Sequence, residues 1–286
     1  MEQQLYEALY EQIKNNCHGI DKLYEALCEQ IKHFNCYDMG LTKLPTFSNI
    51  LKLNCSCNNL TELPSLPQVT ELLCYSNNLS VLPDLPCVTW LICSENNLTC
   101  LPPMPKATNI VCSKNQITSL PDLPEVIHLS CNYNKLTKLP KLNKVEQLYC
   151  SHNQLTELPS LPAVSILDCD HNQIEVLPDL PELTSLMCSY NKLTILPNLP
   201  SKTHDLFCSH NLLTSLPSLQ HTVIDDFDCS HNLLQEIPAL PEEITYLTCS
   251  FNCLKYLPEL HSVLKINCNN NKLIKLPNME CVSSLN

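Results

Sequence analysis

The sequence predicts a solenoid, α/β by class but mostly β: one curved parallel sheet, extended proline-rich return limbs, and a helical hairpin closing the N-terminal end. Three observations carry this expectation. Cysteine recurs every 19 residues, at 36, 55, 74, 93, 112, 131, 150, 169 and 188, and then at 208, 229, 249 and 268 after steps of 20, 21, 20 and 19. Asparagine stands three residues after each of these cysteines, from Asn58 to Asn271, except that Met39 takes the place in the first unit. All 22 prolines fall in the limbs that follow these cysteines, in a recurring segment such as Leu120-Pro-Asp-Leu-Pro124.

A unit of this length holds one short strand, one turn and one return limb. In Val69-Thr-Glu-Leu72-Leu-Cys74 the alternation of a strand turns Leu72 and Cys74 inward and Leu73 outward. Stacked units join such strands into one parallel sheet and bury a core that no single repeat could make. An asparagine at the turn can satisfy backbone groups of its own and the adjacent coil. Proline excludes a helix from the return limb and favours polyproline-II geometry there.

These residues resemble the leucine-rich repeat L-x-x-L-x-L-x-x-N-x-L, with cysteine at the third leucine. The added Leu-Pro-x-Leu-Pro is similar to the short bacterial-effector subtype, of the Yersinia outer protein M and invasion-plasmid-antigen kind; similar arrays occur in giant viruses of amoebae. The resemblance covers about residues 36–286, as about thirteen units and a truncated fourteenth beginning at Val282. It implies a horseshoe that binds a partner on its concave face, for a pathogen- or virus-encoded protein a host protein in the host cytosol. The ligase relatives use a Cys-x-Asp motif in a helical domain after the repeats. Cys36-Tyr-Asp38 instead sits in the repeat column, so ligase activity does not carry over, and a non-catalytic ligase adaptor is the weaker reading that remains.

Residues 1–35 lack the repeat. Leu5, Leu9 and Ile13, and again Leu23, Leu27 and Ile31, fall at helical spacing. The segment is duplicated, Leu5-Tyr-Glu-Ala-Leu returning as Leu23-Tyr-Glu-Ala-Leu, which predicts a helical hairpin capping the first repeat. No polar cap is recognisable at the C-terminal end, and an open sheet edge there invites self-association.

Composition narrows the function. Net charge is −12, from 29 acids against 17 bases, and every base is lysine. Without arginine or a basic footprint, nucleic acid is not the expected partner. No apolar run reaches a membrane span and no secretory signal opens the chain, so a cytoplasmic protein is expected. The abundant cysteines suit a reducing compartment and read as small inward hydrophobes. His152, His171, His210 and His231 follow column cysteines by two residues, with Tyr190 between; metal binding or pH response by this row, or redox chemistry in the cysteine column, is the alternative function. No nucleophile, P-loop or zinc motif is present, so neither enzyme activity nor a cofactor is expected.

The binding surface is read from the positions one and three before each column cysteine. They bring Leu73, Trp90, Ile92 and Val111 together as an apolar patch holding the single tryptophan. Further along, Asp168, Asp170, Asp205, Asp226 and Asp228 make the face acidic, with Tyr149, Met187 and Phe207 nearby. The expected function is a protein-interaction scaffold with an apolar anchor near Trp90 and an acidic selector that suits a basic partner surface.

Overall fold

The computed structural model describes residues 31–242, 244–278 and 280–285. They fall in two compact units, Met1–Leu136 and Thr137–Asn286. The first unit contains β1 (His33–Asn35), β2 (Lys52–Asn54), β3 (Glu71–Leu73), β4 (Trp90–Ile92), β5 (Asn109–Val111) and β6 (His128–Ser130). The second contains β7 (Gln147–Tyr149), β8 (Ile166–Asp168), β9 (Ser185–Met187), β10 (Asp205–Phe207), β11 (Asp226–Asp228), β12 (Tyr246–Thr248), β13 (Lys265–Asn267) and β14 (Ser284–Leu285). Within each unit every strand pairs in parallel with the next one along the chain.

The α/β class is overturned. Among the described residues every regular element is a strand of a single parallel layer, and none is a helix. The cause is the repeat length. Strand and turn use about half of each unit, and the remaining limb carries prolines that fix φ and remove amide donors, leaving no run long enough for a helical turn. The helical hairpin expected over residues 1–35 lies almost wholly outside the described residues. Where that stretch is described, His33–Asn35 is strand β1, paired with β2, and Phe34 is buried beneath it.

The core is a set of parallel columns. Each strand turns its middle residue inward, Leu72, Leu91, Leu148 and Leu167 among them, and the column cysteine follows two residues later. The return limb adds inward side chains at intervals of three, as in Leu79, Leu82, Leu85 and Val88. The column cysteines from Cys36 to Cys249 have no exposed surface. Burial holds their thiols protonated: it pushes Cys36 and Cys112 up to about 12 and Cys74 and Cys93 well above the usual thiol range.

Backbone polarity in this core is satisfied by the asparagines. The Asn96 amide donates to the carbonyls of Cys93 (3.1 Å) and Ser94 (3.2 Å) in its own turn and of Cys74 (3.0 Å) in the preceding one. Its carbonyl accepts from the Leu79 amide at 2.9 Å. Asn77, Asn134, Asn172, Asn191, Asn232 and Asn252 donate to the same three carbonyl positions. The longer repeats keep the pattern: Leu213 donates to Asn232 at 3.0 Å across 19 residues, where Leu79 reaches Asn96 across 17. The extra residues lie in the return limb. Thr70, Thr89 and Thr108 add a second ladder, each hydroxyl donating to a carbonyl of the preceding unit at 3.1–3.2 Å.

Replacing Asn172 by alanine strands the Leu155 amide and leaves three carbonyls without the side-chain donor. A loss of about 2–4 kcal/mol is expected in urea unfolding. Asn271→Ala, at a half-buried turn, should cost roughly half as much. Equal losses would contradict burial as the cause. Brief alkylation of native protein at pH 8, read peptide by peptide, should label the exposed Cys100 and Cys281 and spare the column cysteines until the protein is unfolded.

Candidate functional site

Strand alternation places one side chain from each end of a three-residue strand on the outward surface. In the first unit the register aligns Leu73 with Ile92 and Ile92 with Val111, giving one half-buried apolar column. Trp90 stands in the parallel column, between Glu71 and Asn109, and is 47% exposed. Glu71 is held by Lys52 at 2.7 Å. Beside them an open hollow of about 310 Å³ lies over β1–β3, with Phe34, Lys52, Leu53, Glu71 and Leu73 in its wall.

In the second unit the corresponding column runs Tyr149, Asp168, Met187, Phe207 and Asp228, each aligned with the next. Asp205 aligns with Asp226 in the parallel column. Asp170 lies beyond the strand end, in the turn after Cys169. The two groups expected from the sequence therefore sit on separate units, the apolar one in the first and the acidic one in the second.

The carboxylates also shape the backbone. Asp168 accepts the Asp170 amide (3.2 Å), Asp228 the Ser230 amide (2.9 Å) and Asp170 the Ser189 amide (2.6 Å). Burial pushes the Asp170 carboxyl up to about 6; the Ser189 amide opposes that rise and the charge of Asp168 adds to it. Burial also raises Asp168, against the Asp170 amide, the Ser151 hydroxyl, His152 and His171. Asp226 is raised by burial and by its like-charged neighbours Asp225 and Asp205.

The histidine row has a geometry the spacing did not disclose. His152, His171, Tyr190, His210, His231 and Phe251 form a ladder of face-to-face rings, with successive centroids 3.9–4.2 Å apart and planes within 9–13°. Every one has positive φ, between 52° and 55°. The left-handed conformation is uncommon for bulky residues, and stacking of about 0.5–1.5 kcal/mol per pair offsets its strain. Burial and the neighbouring histidines lower the His171 and His210 imidazoles, against the pull of Asp168 and Asp228 respectively. Two charges 4 Å apart repel by ~1 kcal/mol in bulk water and ~4 kcal/mol at an effective dielectric of 20, so adjacent rungs resist charging together. Phe251 was missed in the sequence because it is not a histidine; its place two residues after Cys249 was the available signal. Among the described residues, no group of three or more His, Cys, Asp or Glu side chains could hold a metal ion.

No family model and no curated protein matches the chain. Solved structures do. YopM from Yersinia enterocolitica WA-314 is 31% identical over 100% of this chain and 73% of that chain, with a TM-score of 0.78. The chain belongs to the leucine-rich-repeat family. YopM of Yersinia pestis, a leucine-rich effector protein, is 28% identical over 100% of this chain and 99% of that chain, with a TM-score of 0.65. The functional domain of InlJ from Listeria monocytogenes, which includes a cysteine ladder, shares the fold at 24% identity and a TM-score of 0.57, covering 98% of this chain and 58% of that chain. Among the described residues of this chain no helix is long and apolar enough to cross a membrane.

Crowding of Asp226 has a measurable consequence. Its folded pKa is raised, so the fold carries a penalty that is present at neutral pH and relieved as pH falls through that pKa. Asp226→Asn should therefore stabilise the protein by about 0.5 kcal/mol at pH 7. The gain should vanish below the carboxylate range. Thermal melts at pH 7 and pH 2.5 check both halves.

Proposed function

We propose that this protein is an intracellular interaction scaffold, pathogen- or virus-encoded, that holds a host protein on its outward strand face. The observation that carries the reading is the aligned column Tyr149, Asp168, Met187, Phe207 and Asp228, which alternates apolar contact surface with negative charge. Such a column offers burial for affinity and carboxylates for selection. With the Asp205–Asp226 pair beside it, the fitting partner surface is basic. Trp90 supplies a second, apolar anchor on the first unit, since a half-exposed tryptophan next to an aliphatic column has the composition of a binding hot spot.

Two further observations support the setting. None of the eighteen described cysteines is joined in a disulfide, which suits a reducing cytosol. The likeness to a leucine-rich effector protein of Yersinia pestis supports a host-directed role.

Trp90→Ala combined with Asp226→Lys should abolish capture of the partner from host-cell lysate, read by quantitative mass spectrometry, while far-ultraviolet circular dichroism stays native. Each single substitution should weaken capture about tenfold or more if its group is an anchor. An unchanged captured set for the double variant would refute the outward face as the binding surface.

A further inference from the structure

We propose that the ring ladder makes the acidic strip of the second unit releasable by acid: the strip binds a lysine- or arginine-bearing segment at neutral pH and gives it up near pH 5.5 while the fold stays intact. The proposal rests on the outward face being the binding surface, and it adds how that surface is regulated.

The geometry places the switch beside the strip. The four histidines form two pairs, His152 with His171 at 4.2 Å and His210 with His231 at 3.9 Å, and Tyr190 separates them at 4.1 Å from either side. Each pair stands next to a carboxylate of the outward column. Asp168 acts electrostatically on His152 and His171, and Asp228 acts on His210. The other ionisable groups on the surrounding strands and turns are Asp170, His204 against Asp205 at 2.9 Å, the neighbours Asp225 and Asp226, Lys192 bonded to Gln173, and Lys265 over the Tyr246 ring. Phe251, at the far end, cannot titrate. Stacked imidazoles repel once charged, so the two rings of a pair resist carrying charge together. One proton per pair is enough to set a positive charge against each column carboxylate.

Acidification changes the strip twice in one direction. The ladder gains positive charge as pH falls, and Asp170, raised to about 6 by burial, loses its negative charge. Both changes weaken a cation's hold. For folding, the same groups act in opposition. His171 and His210 have lowered folded pKa values, so their contribution is present above the unfolded histidine pKa and is lost as pH falls below it. Asp168, Asp170 and Asp226 have raised values, so their penalty is relieved as pH falls. The terms add for binding and oppose for stability, which is what permits release without unfolding.

The test uses the full chain and a fluorescein-labelled decalysine peptide, titrated by fluorescence anisotropy at fixed ionic strength. Affinity should fall at least about tenfold between pH 7.5 and pH 5.5, with circular dichroism unchanged. Replacing all four ladder histidines, His152, His171, His210 and His231, by asparagine should keep the neutral-pH affinity and native circular dichroism and reduce that fall to about threefold or less. Asparagine already occupies this turn position as Asn270, at φ 53°, so the replacement suits the backbone. His221→Asn with His261→Asn, off the ladder, should leave the full fall in place. Asp168→Asn with Asp228→Asn should weaken binding at pH 7.5, tying the peptide to the strip. Affinity that is equal at the two pH values, a fall as large in the ladder variant as in the wild type, or unfolding at pH 5.5 would each overturn the release while leaving the face intact. Absence of decalysine binding at pH 7.5 would overturn the acidic-face reading and the release with it.

Discussion

The turn asparagine, buried in most units, is the interaction on which the remaining structure depends. A parallel solenoid leaves a row of peptide groups at every strand-to-limb turn that neither the sheet nor the limb can satisfy, and burying them unpaired would cost more than the packing returns. One carboxamide has the right inventory, two donors and an acceptor, to serve its own turn, the carbonyl of the turn before and an amide of the preceding limb. Asn96 does so within 2.9–3.2 Å. Because each bridges neighbouring units, the ladder also fixes their spacing, and the inward leucines and thiols then meet in columns.

The same turn dictates where strain falls. One residue before the asparagine, the backbone takes positive φ in every unit from Asp38 to Asn270. Glycine would fit there without strain, yet none is used. The position has side chains because it overlooks the end of the outward face, and in the second unit those side chains have become the ring ladder. Backbone geometry holds the rings at a common angle, and the sheet spacing of about 4.8 Å brings successive rings within stacking reach.

Most of the strand architecture was legible in the sequence, because a strict period allows few arrangements. The inward column, the outward residues Leu73, Ile92 and Val111, and the turn asparagines all follow from alternation counted from the cysteine. The class was not legible: the spacing of Leu23, Leu27 and Ile31 matched a helix, whereas Phe34 and its neighbours joined the sheet as β1. Pairing with β2 fixes His33–Asn35 alone as a strand. The ladder was only half legible. Spacing aligned the histidines, but face-to-face contact depends on the sign of φ, and residue type gives little sign of that when the position is occupied by Glu95, Lys114 or Phe251. The perturbed carboxyls were equally hidden, since Asp170 owes its value to burial within the turn rather than to the row of acids.

The return limb absorbs the one- and two-residue excess of the longer repeats while every asparagine keeps its partners. Each unit therefore speaks only to the one before and the one after, in identical terms. A whole unit copied or lost by unequal exchange within the gene would leave the bonding pattern closed and change only which outward side chains stand beside one another. The surface can thus be rewritten by the number and order of units as well as by substitution, with the buried chemistry untouched.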